Sequence, residues 1–267
     1  MIPTRYNKLG ADYRSNDIWV VYHSAGVLDI NITGASGLLW TFPDNSTSTV
    51  NRPLKTVTAG RTIITCNRFN LNGITITTNA CTALSSQSIN FNTLPLLVYW
   101  LEQANDNLFV GDVIRIPRVK FVLSIKGSGI YGTTDNVPRV TYTLSLVSTS
   151  VSGNISALPH ASTFFQLVSN NSMTGSVSSI TWVTGTLVIR GCQYLTGALP
   201  IVSTNNNIQF YANPAVSPAE YDQTIANCVS AGGLNKVLTI SSRRTSASNA
   251  DKATLISRGW TINDSQI

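Results

Sequence analysis

The sequence predicts a mainly β protein built as a repeat solenoid, with a small β-sandwich-like cap before it and an α/β cap after it. Glycines recur at a fixed spacing, short alternations of apolar and polar residues precede them, and charged residues are scarce. Only 11% of the 267 residues are charged and 43% are apolar, so the chain has ample material for a core. The predicted organisation is an N-terminal arm (1–16), the β-sandwich-like cap (17–72), the solenoid (73–213) and the C-terminal cap (214–267).

The strongest regularity is a repeat of 21 or 22 residues. In register, the segments share the frame φxφxx[N/S/T/C]xφxGxφ, where φ is apolar. The alternating start of this frame is typical of a strand with one buried face. One coil cannot bury its apolar residues on both sides, whereas stacked coils can. The repeat is marked by Gly111, Gly132, Gly153, Gly175 and Gly197, and in step by Pro95, Pro117, Pro138 and Pro159.

A small side chain follows each predicted strand at the same place in the frame. We expect these side chains to stack as a ladder that pairs with backbone groups where the chain leaves the strand. The glycine then lets the chain bend, and the next apolar residue returns to the core. The ladder residues are Ser128, Thr149, Asn170, Cys192 and Asn213, and the returning residues include Val113, Ile155, Val177 and Leu199.

This frame resembles the leucine-rich repeat, LxxLxLxxNxLxGxI. It is matched by LSLVSTSVSGNI (144–155) and FQLVSNNSMTGSV (165–177), and the resemblance covers about residues 95–213. GITITTN (73–79) resembles an earlier, irregular coil. The coil around Gly111 departs from the pattern, because Glu102 or Gln103 lies on the strand and the polar run NDN (105–107) follows, which predicts a bulge. The resemblance implies a leucine-rich-repeat-like solenoid that serves as a binding scaffold.

The C-terminal segment predicts two capped helices and two strands. Ser217 is the expected N-cap of the first helix, with Pro218 at its first position and Glu220 completing a capping box. Ser248 and Asp251 are expected to form a second box. This ending, which closes on GWT, resembles the terminal cap of leucine-rich-repeat-like proteins from bacteria and their phages. The predicted elements are a helix within 217–233, a strand at 236–240, a helix within 248–259 and a strand at 260–262.

The N-terminal third predicts short strands separated by turns. Its segment LLWTFPDNSTSTVNRP (38–53) resembles the WxFGDGSTST core of PKD-type immunoglobulin-like domains, with Pro43 and Asn45 in place of the glycines. This resemblance implies a reduced β-sandwich over the first coil. The predicted strands are GVLDINIT (26–33), LLWTF (38–42), LKTVT (54–58) and RTIITC (61–66).

The sequence argues against several classes of protein and of site. The N-terminus lacks an apolar h-region and no stretch reaches the length of a membrane span, so neither a signal peptide nor membrane insertion is expected. The net charge of +6 is spread thinly apart from Arg243-Arg244, which argues against nucleic acid as a partner. The four cysteines have no CxxC spacing, so no zinc site is expected. Cys66 and Cys81 can bridge in an oxidising compartment, but buried free thiols are the preferred interpretation.

The residues needed for catalysis are not grouped in the sequence. His23 follows a strand and His160 follows Pro159 at a coil corner, where turn or surface roles are expected. A glycosidase needs two carboxylates about 5–9.5 Å apart. The 12 acids are scattered, mostly in turns, and Glu102 is the one acid expected on the outward strand face. We therefore expect no enzyme and no cofactor.

The outward strand positions form a candidate binding face. Either it is merely solvated, or Phe164, Val147, Val168 and Val188 form an exposed apolar patch beside two cations and a tyrosine, which marks a partner surface. The binding candidates are Lys126, Val147, Phe164, Gln166, Val168, Val188, Arg190 and Tyr211. The three predicted columns are Val122, Thr143, Phe164, Thr186 and Asn207; Ser124, Ser145, Gln166, Val188 and Gln209; and Lys126, Val147, Val168, Arg190 and Tyr211.

Together these features predict a non-enzymatic structural or binding protein. The preferred interpretation is a bacteriophage virion component, a tail or head fibre or decoration protein. Its partners would be other virion proteins, a host-surface protein or glycan, or further copies of itself. The alternative is a leucine-rich-repeat adhesin on a bacterial cell surface, and an enzyme that degrades polysaccharide ranks third.

Overall fold

The computed structural model describes residues 17–66, 68–69, 75–78, 89–90, 100–102, 109–116 and 122–265. Within these residues the chain is mainly β, with parallel sheets and two α-helices near the C-terminus. The predicted arm (1–16), Cys81, Gln103 and the run at 105–107 lie outside the described residues.

The N-terminal strands pair antiparallel with one another. The predicted strand GVLDINIT is divided in two at Asp29, whose buried carboxylate accepts hydrogen bonds of 2.6 and 2.7 Å from Arg52. Trp40, which is fully buried, anchors the core of this region. The strands are β1 (Asp17–His23), β2 (Gly26–Leu28), β3 (Ile30–Thr33), β4 (Ala35–Ser36), β5 (Leu39–Thr41), β6 (Thr47–Ser48), β7 (Lys55–Val57), β8 (Gly60–Cys66), β9 (Arg68–Phe69) and β10 (Thr75–Thr78).

Strand β10 corrects one prediction. The sequence GITITTN was expected to form an earlier coil of the repeat, yet Thr75–Thr78 pairs antiparallel with Ile30–Thr33. Its apolar and polar alternation matches that of the repeat strands, but no glycine of the repeat follows it. It therefore joins the antiparallel strands instead.

From β11 to β22 the strands alternate between two parallel sheets, and β23 and β24 extend the first of these. One has the order β12-β14-β16-β18-β20-β22-β23-β24, and the other has the order β11-β13-β15-β17-β19-β21. The elements are β11 (Ile89–Asn90), β12 (Trp100–Glu102), β13 (Phe109–Asp112), β14 (Val122–Lys126), β15 (Ile130–Thr133), β16 (Thr143–Val147), β17 (Ser150–Asn154), β18 (Phe164–Val168), β19 (Met173–Ser176), β20 (Thr186–Arg190), β21 (Tyr194–Thr196), β22 (Asn207–Tyr211), α1 (Pro218–Ala231), β23 (Val237–Ser241), α2 (Asn249–Ser257) and β24 (Thr261–Ser265).

The core between the sheets is built from columns of inward-facing side chains. In the eight-stranded sheet, the inward positions of each strand pair directly with those of the next. These side chains are at most 1% exposed, which confirms the predicted inward register. The two columns are Leu123, Leu144, Phe165, Leu187, Ile208 and Leu238; and Ile125, Leu146, Leu167, Ile189, Phe210 and Ile240.

The predicted ladder forms, but not at every position. The Asn170 amide accepts hydrogen bonds from Thr149 N and Oγ1 at 3.1 and 2.5 Å, and donates to Leu146 O at 2.7 Å and to Val168 O at 3.2 Å. One repeat later, Asn213 accepts a hydrogen bond from Cys192 N at 3.0 Å and donates to Ile189 O at 3.0 Å. Each asparagine therefore satisfies backbone groups of the repeat before its own. Ser128 is exposed, whereas the other four predicted ladder residues are buried.

The ladder ends at a residue of the first helix. Tyr221 Oη accepts a hydrogen bond from Asn213 N at 3.2 Å and donates one to Asn213 O at 3.1 Å. The buried tyrosine thus takes the position that the next asparagine would fill. Its phenol is desolvated, and this burial raises the pKa of Tyr221 above its ordinary value.

Helix α1 begins as predicted and α2 does not. Ser217 Oγ accepts a hydrogen bond from Glu220 N, and the Glu220 carboxylate accepts one from Ser217 N, which confirms the capping box. The predicted second box is wrong, because the Ser248 side chain makes no capping bond to α2. Its hydroxyl instead donates to Asp222 Oδ1 at 2.6 Å, and Thr245 caps the short 3₁₀ turn that precedes α2.

The repeated glycines are required by packing between repeats. Gly175 has φ of 100°, and a Cβ added there would collide with Asn154 Oδ1. That oxygen accepts hydrogen bonds from Ser156 N and Oγ at 3.0 and 2.9 Å, so it caps a 3₁₀ turn of the preceding repeat. The glycine thus leaves room for a capping side chain.

Gly175→Ala is expected to destabilise the protein more than Gly232→Ala does. Both glycines have positive φ, so each alanine adds about 1–3 kcal/mol of backbone strain, but a Cβ at Gly232 meets no atom within 4 Å. Urea unfolding measures the difference. Equal losses would mean that contact with Asn154 is not what requires glycine at this position.

Candidate binding face

The candidate binding face consists of the outward side chains of the eight-stranded sheet, here called the outer face. Strand pairing places every predicted column in direct register, so all three columns are confirmed. Glu102, the one acid expected on the outward strand face, pairs in register with Ser124 of the second column. Neighbouring strands are about 4.8 Å apart, so each column is a continuous row of side chains.

The predicted exposed apolar patch is wrong in its degree of exposure. Val188 is only 4% exposed, and Phe164, Val147 and Val168 are half-buried. Val188 lies between Gln166 and Gln209 in its column. The outer face is therefore a surface of mixed polarity in which the apolar side chains are partly or fully buried.

Hydrogen bonds across strands order part of the outer face. Ser145 Oγ donates to Gln166 Oε1 at 2.8 Å, and Ser145 is itself only 4% exposed. Arg190 Nη1 donates to Tyr211 Oη at 2.6 Å, and Arg190 Cζ lies 5.8 Å from the centre of the Tyr211 ring. The third column therefore carries a guanidinium that is both hydrogen-bonded to an aromatic side chain and close to its ring.

Two buried polar atoms of the outer face lack a partner within the protein. Among the described residues, buried side-chain atoms without a hydrogen bond are Thr134 Oγ1, Arg190 Nε and Asn207 Oδ1. A buried donor or acceptor without a partner costs about 1–3 kcal/mol, so such groups are uncommon. Two of the three, Arg190 Nε and Asn207 Oδ1, belong to residues of the outer face.

The charge of the outer face is positive. Lys126 and Arg190 are its charged residues between Val122 and Ser241, and the described strands there carry no outward acid. Both cations lie in the third column. This arrangement favours partners that bring carboxylates or other acceptors to that column.

Exposed aromatic residues lie on the other sheet, where the sequence interpretation did not place them. Tyr131 and Tyr194, on β15 and β21, are 49% and 52% exposed. Tyr131 directly precedes the repeat glycine Gly132, which is the one sequence signal that marks its outward position. Variants of these tyrosines can therefore serve as controls for variants of the outer face.

Both histidines and two of the four cysteines lie in the described part of the chain with defined contacts or burial. His23, for which a turn or surface role was expected, ends strand β1 and is only 8% exposed, and its Nε2 lies 2.9 Å from Thr62 Oγ1. His160 is exposed and stacks on Trp182 with ring centres 5.0 Å apart. Cys192 and Cys228 are buried free thiols, and burial raises their pKa to about 11 and about 12.

In the described part of the chain, no group of three or more His, Cys, Asp and Glu side chains is placed to hold a metal ion. None of the helices described is both long and apolar enough to span a bilayer.

Comparison with protein-family models, with curated proteins and with solved structures gives no match.

Proposed function

We propose that this chain is a non-enzymatic binding protein whose outer face contacts its partner. The observation that carries the proposal lies in the third column. There Arg190 is hydrogen-bonded to Tyr211, and its buried Nε lacks an acceptor within the protein. Aromatic and arginine side chains are the types that most often dominate binding energy. Half-buried apolar side chains beside them, such as Phe164 and Val168, supply contact area.

The proposed architecture is a leucine-rich-repeat-like solenoid with an antiparallel cap before it and an α/β cap after it. The alternation of successive strands between two parallel sheets supports it, as do the asparagines that bond to the preceding repeat. In such an array, each repeat adds one strand to a continuous face, which suits binding of extended partners.

The proposed setting is a bacteriophage virion, as a tail or head fibre or decoration protein that contacts other virion proteins or a host-surface ligand. The scarcity of charged residues and the resemblance of the C-terminal segment to caps of leucine-rich-repeat-like proteins from bacteria and their phages support this setting. An antibody raised against the purified protein tests it, applied to purified virions and to cell envelopes from the producing culture. Detection in virions supports the proposal, whereas detection only on the cell surface favours the adhesin.

The non-enzymatic part of the proposal is tested with purified protein. Incubation with neutral and acidic polysaccharides, followed by assay of new reducing ends, is expected to show no turnover. Turnover that disappears when one acid is replaced would overturn this part of the proposal. Glu102 is the first acid to replace, because it lies on the outer-face register.

Replacing Phe164, Arg190 and Tyr211 together by alanine is expected to weaken attachment at least about tenfold, because few residues carry most interface energy. The measurement is the amount of purified protein that binds to virions assembled without it. The control is a triple alanine variant of Tyr131, Thr174 and Tyr194 on the six-stranded sheet, which is expected to bind normally. Retained binding by the outer-face variant would place the contact elsewhere on the chain.

A further inference from the structure

Among the described strands, β24 lies at one edge of the eight-stranded sheet. Strand β24 pairs with β23, and no other strand in the described part of the chain pairs with it. Thr261 and Asn263 are exposed, whereas their partners Val237 and Thr239 are half-buried. Ile262 is only partly buried, although its partner Leu238 is fully buried. An edge of this kind invites a strand from another chain.

An aspartate ends an apolar column at this edge. Asp264 pairs with Ile240, which is the last member of the inward column that begins at Ile125. Every apolar member of that column is fully buried. Asp264 therefore places a carboxylate at the position where an aliphatic side chain would continue the core.

Two cations hold this carboxylate. Arg244 donates to Asp264 through Nε at 3.0 Å and Nη2 at 3.3 Å, and Lys252 of α2 forms a second ion pair with it. Arg244 also donates to Asn249 Oδ1 at 2.8 Å, so the guanidinium is fixed from another side. The side chains of Arg244 and Lys252 are 14% and 21% exposed, and that of Asp264 is 34% exposed. Hydrogen bonding to Arg244 lowers the pKa of Asp264, which keeps it ionised at neutral pH.

We propose that Asp264, with Arg244 and Lys252, forms a stop that prevents a second copy of this chain from adding a strand to β24. A strand docked on this edge would extend the apolar column over Asp264. It would bury the carboxylate and both cations without replacing the water they lose, which is a large desolvation penalty. Inward-pointing charge is one of the means by which edge strands resist pairing. The proposal does not depend on what the outer face binds.

Asp264→Ile, which continues the column, is expected to make the protein self-associate. In sedimentation velocity its assembly should begin at a concentration about tenfold or more below that of the wild type. Asp264→Asn keeps a polar inward group and is expected to sediment as the wild type does. Asp251→Ile makes the same exchange on α2 rather than on β24, and it is also expected to leave sedimentation unchanged. In the assembled Asp264→Ile protein, hydrogen exchange should show new amide protection in residues 261–265.

Four results would overturn the proposal. The first is an Asp264→Ile protein with native circular dichroism that sediments as the wild type does. The second is assembly without new protection at 261–265, because association would then use another surface. The third is equal assembly by Asp251→Ile, which would reflect added surface hydrophobicity alone. The fourth is loss of folding in both Asp264→Ile and Asp264→Val while Asp264→Asn folds, which would make the aspartate a requirement for folding and not a stop.

Discussion

Asn170→Ala is expected to lower the free energy of unfolding by about 2–4 kcal/mol, because it leaves several buried groups without partners. The Asn170 amide bonds to Thr149 N and Oγ1 and to Leu146 O, all in the preceding repeat, and the Asn170 residue is fully buried. Water cannot replace these bonds without opening the contact between two repeats. The loss is measured by urea unfolding monitored by circular dichroism.

The matched control is Asn171→Ala, which makes the same exchange one residue later at an exposed position. It is expected to change the free energy of unfolding by at most about 0.5 kcal/mol. Similar losses from the two variants would show that the ladder bonds do not stabilise the fold.

Leu146→Ala is expected to lower the free energy of unfolding by about 2–5 kcal/mol, since it opens a cavity in the core. Leu146 is fully buried and pairs with Ile125 and Leu167 on either side, so the cavity would be bordered by two other repeats. A chemical unfolding titration gives the value.

Val147→Ala is the control for this prediction, because Val147 is the next residue along β16 and lies half-buried on the outer face. Its expected cost is about 1 kcal/mol, as little of the removed apolar surface is fully shielded from water. A larger loss from Val147→Ala than from Leu146→Ala would contradict the assignment of inner and outer faces.

The register of the parallel strands could be predicted from the sequence. A side-chain period of two sets the inward and outward positions, and a repeat of 21 or 22 residues aligns one strand with the next. This is why each outer-face column, such as the one from Lys126 to Tyr211, is found as predicted.

Exposure on the outer face could not be predicted in the same way. Alternation gives the outward direction of Val188 but not its exposure of only 4%, which depends on the conformations of neighbouring side chains. The pairing partner of β10 could not be predicted from local sequence patterns either, because Thr75–Thr78 pairs with Ile30–Thr33, which lies far away in the sequence. The stop at Asp264 depends on Arg244 and Lys252, which no motif links to that residue.

The ladder also bears on how a chain of this kind can change in length. Asn170 and Asn213 each hydrogen-bond to backbone groups of the preceding repeat, and Tyr221 does the same for the backbone of Asn213 itself. The side chain that completes the hydrogen bonds of one repeat thus belongs to the next repeat along the chain. Duplication or loss of a whole unit preserves every such pairing between neighbours, whereas a fractional insertion separates a strand exit from the side chain that completes it. Growth of the gene by unequal recombination would therefore be tolerated in increments of one repeat, with the tyrosine of the first helix as a fixed terminus.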